Sequence, residues 1–355
     1  VMMNQPPTVW LIDEGHAGHR VQSEGVIKAL ARAGLPLNVA RIDCAPKLRG
    51  LFRPAARAMF SRLDGPGAVQ FAHRVAQFAQ PEGPAPLFII SSGGRTAFAS
   101  RALALQTRTP NVFVGNPKPF PLDWFSAVLS PAPLPQGETL LSGVVPNLVT
   151  PDDCAEAASA YWQGPPPAHR WSLLIGGASR NHLYDSQDWR DIANGVNALA
   201  ARNGIKWLIS TSRRTGSEAE AILEEEIAPE AVDELVLYGR EPKRVVQPFL
   251  GAGERVFVTR DSLTMVSEAI MSGRPLTALM PRRIELADDN FMAVVLRKYA
   301  SWDQYAEVAC AELADFAPRP QATGQEHEAA AELAQAAADL MRALALPSAA
   351  AASAG

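Results

Sequence analysis

The side chains of this 355-residue chain that can move a proton or hold an anion gather where apolar runs give way to helical patterns. Asp13-Glu14-Gly15-His16-Ala17-Gly18-His19 is the first such junction. An imidazole titrates near neutrality and can take a proton from a hydroxyl, so His19 is a candidate base. Asp13 and Glu14 are rivals for that role, and His16 is a weaker one. Gly15 and Gly18 let the backbone come close to a ligand. Ser92-Gly93-Gly94-Arg95-Thr96 is a second strand-to-helix turn, where Arg95 is suited to pair an anion. Asn116-Pro117-Lys118 adds a cation after a further strand. Plain alternatives stand beside these: His19 only positioning its helix, and Ser92–Thr96 being a tight turn before a capped helix.

The second half carries a matching set. Gly176-Gly177-Ala178-Ser179-Arg180 offers a glycine-rich backbone that can cradle a diphosphate and a guanidinium that can neutralise one. Ser212-Arg213-Arg214-Thr215 offers two more guanidiniums and two hydroxyls, although arginine pairs in turns are often only solvated. Tyr238-Gly239-Arg240 follows a third strand, and Asp261-Ser262-Leu263-Thr264 opens a helix after a fourth. A helix N-terminus presents orphan N–H groups and a partial positive charge to an anion. Glu268 falls about two turns into that helix, where a carboxylate can accept hydrogen bonds from ribose hydroxyls; the alternative is a βαβ unit with Glu268 solvated.

The elements that position these groups alternate short apolar strands with amphipathic helices, which predicts parallel sheets covered on both faces. Strands are expected near Thr8–Ile12, Leu37–Ile42, Leu87–Ile90, Val112–Val114, Ala127–Leu129 and Leu140–Ser142. A second series is expected near Trp171–Ile175, Trp207–Ser210, Leu235–Leu237, Val256–Thr259 and Leu276–Leu279. Helices are expected near Arg20–Ala33, Ala68–Ala79, Thr96–Gln106 and Asp152–Trp162, the last capped by Thr150 with Pro151 at its first position. Gly164-Pro165-Pro166-Pro167 is stiff and helix-breaking, and marks the expected boundary. The expected division is a first domain over 1–163, a linker over 164–170, and a second domain over 171–320. A C-terminal helix over 321–346 crossing back to the first domain, then a disordered tail over 347–355, completes it.

Composition narrows the function class. A net charge of −4 gives no basic excess of the kind that nucleic-acid binding usually shows. Cys44, Cys154 and Cys310 lack CxxC spacing, which suggests reduced thiols and neither a disulfide framework nor a zinc site. Asp152-Asp153 and Asp288-Asp289 read as solvated pairs, so no metal site is expected. No signal peptide and no bilayer-spanning run is seen, so a cytoplasmic location is expected. Between Arg41 and Arg62, six basic residues face one acidic residue, Asp43. The segment 47–63 has two readings: a solvated helix covering the first domain, or a basic amphipathic helix on the inner face of the cytoplasmic membrane.

The motifs Asp13–His19 with Gln22, Ser92–Thr96, Ile175–Arg180, Ser210–Thr215 and Glu254–Pro281 stand in one collinear order. Together they resemble the mitochondrial-fission ELM family, whose members are read as GT-B glycosyltransferases. More distantly they are similar to the lipid II N-acetylglucosaminyltransferase. The resemblance implies an α/β GT-B architecture, two doubly wound Rossmann-like domains facing a central cleft. It implies a metal-independent glycosyltransferase moving a sugar from a nucleoside diphosphate donor to a hydroxyl of a cell-envelope glycan or lipid-linked acceptor. The nucleotide-sugar is then a substrate and no cofactor is expected. Donor binding falls to Gly176, Gly177, Ser179, Arg180, Ser212, Arg213, Arg214, Tyr238, Gly239, Arg240, Asp261, Ser262, Leu263, Thr264 and Glu268. Acceptor binding falls to Gly15, His16, Gly18, Ser92, Gly93 and Arg95, with catalysis by His19, Asp13 or Glu14. The lipid II enzyme carries Ser-Gly where this chain has Asp261-Ser262, and an aspartate beside a diphosphate needs a compensating partner. A nucleotide-sugar 2-epimerase of the same fold and a non-catalytic membrane-associated scaffold are the alternatives.

Overall fold

The computed structural model describes residues 6–47, 53–63, 65–320 and 327–347. It divides into two compact units, one built from 1–148 with 330–355 and the other from 149–329. In the first, β1 (Thr8–Asp13), β2 (Asn38–Asp43), β3 (Phe88–Ser92), β4 (Asn111–Val114), β5 (Ala127–Ser130) and β6 (Leu140–Leu141) form one parallel sheet. Its spatial order is β2-β1-β3-β4-β5-β6. In the second, β7 (Arg170–Leu174), β8 (Lys206–Ser210), β9 (Val232–Val236), β10 (Val256–Thr259), β11 (Leu276–Met280) and β12 (Tyr305–Ala309) form another parallel sheet. Its order is β9-β8-β7-β10-β11-β12. These strands bury both faces, which is why Phe88–Ser92, Asn111–Val114 and Val256–Thr259 are enclosed along their whole length.

The helices of the first unit are α1 (Ala17–Arg32), α2 (Arg53–Phe60), α3 (Gly65–Val75) and α4 (Ala97–Thr107). The second unit holds α5 (Pro151–Tyr161), α6 (Ser186–Asn203), α7 (Ser217–Glu226), α8 (Val246–Ala252), α9 (Leu263–Met271) and α10 (Phe291–Tyr299). The last helix, α11 (Glu328–Ala343), belongs to the first unit from Ala330 onward. Its buried side, Leu333, Ala336, Ala337, Leu340 and Met341, follows a helical period, and a Cβ on Gly143 would overlap the Glu332 side chain.

The sequence placed the domain boundary at 164–170, whereas the units divide at Leu148/Val149. The reason is α5, which packs on α8 of the second unit, and Gly251 approaches so close that a Cβ there would strike the Cys154 carbonyl. Thr150 accepts from Asp153 N at 3.2 Å with Pro151 at the first helical position, as the residues there led one to expect. Strand β12 and two short antiparallel pairs, Ala45–Pro46 with Ala76–Gln77 and His182–Leu183 with Arg283–Ile284, were not expected. In the basic segment, 48–52 lie outside the described residues. Helix α2 buries Ala56 and Phe60 and leaves Met59 56% exposed.

Candidate functional site

In an open parallel sheet, ligands bind beyond the carboxyl ends of the strands, where the strand order reverses. In the first unit that point lies between β1 and β3, and the Asp13–His19 and Ser92–Thr96 turns both leave from it. Asp13 is buried and fully engaged: Oδ1 accepts from Gly15 N at 2.8 Å, and Oδ2 meets Arg41 Nη2 at 2.9 Å and Arg20 Nη1 at 3.2 Å. Two guanidiniums and an amide make it an anchor for the loop, and at 1% side-chain exposure it is closed to a substrate proton. Neither arginine was singled out from the sequence.

Glu14 and His19 are joined through Oε1 and Nδ1 at 2.6 Å, and Glu14 Oε2 accepts from Arg95 N at 3.0 Å. The Glu14 side chain is 6% exposed and that of His19 36%. Burial pushes the Glu14 carboxyl up, yet the hydrogen bond and charge of His19 and the Arg95 amide outweigh it and hold it below its ordinary range. The His16 ring lies 4.4 Å from the His19 ring, centroid to centroid. It also covers Gly18, where a Cβ would meet it at 3.3 Å. Gln22, one turn beyond His19, stands 3.5 Å from Ser92 Oγ. Arg95 and Lys118 are exposed and form no ion pair among the described residues.

In the second unit the strand order reverses between β7 and β10. Gly176 and Gly177 follow β7, but their amides are used internally: Gly176 N donates to Thr259 Oγ1 at 2.7 Å and Gly177 N to Asp261 Oδ2 at 3.2 Å. The Gly176 carbonyl accepts from Ser212 Oγ at 2.7 Å and Thr215 Oγ1 at 2.5 Å. A Cβ on Gly176 would overlap the Asp261 carboxylate, and one on Gly177 would overlap the Arg214 carbonyl. These glycines allow three loops to close on one another; their amides are not a free anion cradle.

Asp261 is enclosed, and Arg214 Nη2 reaches its Oδ2 at 2.7 Å. Burial raises its carboxyl above the ordinary range, partly offset by Thr259, Arg214 and the Gly177 amide. The compensating partner that its position demanded is therefore Arg214, whose own side chain stays 45% exposed. Arg240 is taken up by Glu224 on the surface, at 2.6 and 2.5 Å. Tyr238 N donates to Thr211 Oγ1 and Gly239 N to buried Glu220. Ser179 Oγ accepts from Asn181 N at 3.4 Å and His182 N at 3.1 Å, shaping the turn that presents Arg180. The short pairing of His182–Leu183 with Arg283–Ile284 ties that turn to the segment after β11.

Two guanidiniums, two backbone amides and one carboxyl remain unengaged at this edge. Arg180 and Arg213 are exposed and form no ion pair among the described residues. Ser262 caps α9 by accepting from Met265 N at 3.3 Å, which leaves the Leu263 and Thr264 amides with no partner inside the helix. The side chain of Glu268, half-buried on α9, has no hydrogen-bond or ion-pair partner among the described residues, and burial pushes its carboxyl up to about 7. No group of three or more His, Cys, Asp and Glu able to hold a metal occurs among the described residues, and no helix there is long and apolar enough to cross a membrane.

Two six-stranded Rossmann-like units, each with its polar turns at its own switch point, define a GT-B-like architecture. The chain belongs to the family described as Mitochondrial fission ELM1, whose profile matches residues 17–300. No curated protein matches it in sequence. Among solved structures it is similar to a UDP-GlcNAc 2-epimerase from Methanocaldococcus jannaschii, at 11% identity over 87% of this chain and 90% of that one, with a TM-score of 0.52. It is also similar to MurG from Acinetobacter baumannii, at 11% identity over 94% of this chain and 95% of that one, with a TM-score of 0.47. At such identities the likeness speaks for the fold alone, and the first structure carries it.

Proposed function

We propose that this protein is a glycosyltransferase that moves a sugar from a nucleoside diphosphate to a hydroxyl of a cell-envelope glycan or lipid-linked acceptor. The observation that carries this reading is Glu268, a half-buried carboxyl left without a partner on the helix that follows β10. An unpartnered carboxyl in such a place is stabilised when ribose hydroxyls donate to it. Arg180, Arg213 and the first amides of α9 supply positive charge at the same sheet edge for a diphosphate. In the first unit, His19 Nε2 takes the acceptor proton. The acceptor oxygen then bonds to the anomeric carbon as the bond to the diphosphate breaks, and the nucleoside diphosphate leaves with the electron pair.

Calorimetric titration with UDP, GDP, ADP and CDP tests the donor half. One diphosphate should bind preferentially, and Glu268→Ala should weaken it at least tenfold; no binding by any of the four would remove the enzyme reading. The corresponding sugar nucleotide, incubated without an acceptor, then separates transfer from epimerisation, since interconversion of the donor sugar alone would replace transfer. Peripheral contact of the segment 47–63 with anionic lipid is part of the proposal, supported by exposed Met59. Co-sedimentation with phosphatidylglycerol vesicles checks it, and recovery in the supernatant at low salt would count against it.

A further inference from the structure

Asp13, Glu14 and His19 are the three stronger candidates for the base in the Asp13–His19 loop, and the geometry separates them. Asp13 is consumed by Gly15 N, Arg20 and Arg41. Glu14 is consumed by His19 Nδ1 on one oxygen and by Arg95 N on the other. Among the described residues no hydrogen bond reaches His19 Nε2, and the His19 side chain is the most open of the three. We propose that Glu14 is a positioning residue: its carboxylate holds His19 as the Nδ1–H tautomer, so that Nε2 presents the lone pair that accepts the substrate proton. Glu14's role, so stated, rests on His19 being the proton acceptor proposed above.

The chemistry of a carboxylate fixes the direction of its contacts. An ionised carboxylate only accepts, so the proton in the 2.6 Å contact sits on Nδ1. The carboxyl held below its ordinary range agrees with an ionised Glu14 at neutral pH. When Nε2 gains a proton, the imidazolium forms against an anion already in contact with the ring, which favours the charged product. The pair also needs Gly93. That residue sits at φ +86°, and a Cβ on it would overlap both Glu14 Oε1 and His19 Nδ1. The turn after β3 is thus the floor on which the turn after β1 assembles its carboxylate–imidazole pair.

Glu14→Gln gives a test that inverts the tautomer. The Arg95 amide must donate to the glutamine oxygen, which turns the NH2 group toward His19 Nδ1. Nδ1 must then accept, and the proton moves to Nε2. The experiment is ring-nitrogen NMR of the full chain carrying 15N-histidine at pH 8, with His19→Gln assigning the signal. Wild type should show a protonated Nδ1 and a bare Nε2, and Glu14→Gln should show the reverse. A wild-type proton on Nε2, or a Glu14→Gln spectrum with the tautomer unchanged, would overturn the proposal. Should the variant not fold, the wild-type spectrum decides alone. No nucleotide is present in the sample, so a failure of donor binding and a failure of this proposal are read separately.

Discussion

At the scale of single residues, Glu268 makes the sharpest demand. A carboxyl whose value is raised to about 7 is neutral over much of the acid range and ionised above it. Only the ionised form accepts fully from two hydroxyls, so nucleotide affinity should rise as pH increases from 5.5 to 8, by roughly tenfold. Glu268→Gln should flatten that component, while the phosphate's own titration persists in both curves; calorimetry at several pH values checks it. The sign for stability is opposite. Because the folded value lies above the ordinary one, ionisation in the folded state costs stability progressively between about pH 4.5 and 7 and fully above that. Glu268→Gln should therefore stabilise the free protein at pH 8, on the order of 2 kcal/mol, and change little at pH 4. Arg214→Ala should act in the other direction, exposing the enclosed Asp261 carboxylate to burial without its cation. We expect a loss of about 2–4 kcal/mol at pH 8 that shrinks toward acid pH, where Asp261 is protonated, as read by chemical denaturation.

At the scale of elements, the strand-to-helix junctions carry the function, and their caps are measurable. Ser262→Ala removes the side-chain acceptor for Met265 N and should cost about 1 kcal/mol. It should also loosen the first turn of α9 and so weaken binding of the preferred nucleoside diphosphate severalfold. Junctions of this kind were legible in the sequence because local signals agree there: Val256–Thr259 is continuously apolar or β-branched, Ser262 is a capping residue, and Gly273 ends the helix at φ +77°. Strand β12 was not legible, since Tyr305–Ala309 contains alanine and glutamate and is only partly enclosed. What the polar residues do was legible only by type. Arg214 and Asp261 lie 47 positions apart, and nothing local announces that one neutralises the other. The Glu14–His19 pair likewise depends on the bare Cα of Gly93, in a turn contributed by another strand.

At the scale of the whole molecule, the first unit is discontinuous and the second is not. A chain ended at His327 keeps the second sheet and the residues proposed for the donor, but lacks the side of α11 that buries Leu333, Leu340 and Met341. Each such side chain is worth about 1.5–3 kcal/mol when enclosed. Scanning calorimetry should show the first unit melting many degrees lower while the second melts near its usual temperature and keeps its affinity for the preferred nucleoside diphosphate. A single transition, lowered as a whole, would show instead that the two units unfold together.

The interrupted path of the first unit also sets an order of events on the ribosome. Residues up to Leu148 emerge before the second unit, yet the helix that completes their unit is translated only after it. The second unit, whose chain is continuous, can close while the earlier-made sheet still lacks its final covering. Early-made apolar surface therefore waits for late-made sequence, and the nascent chain is most vulnerable to aggregation, and most dependent on chaperones, during that interval.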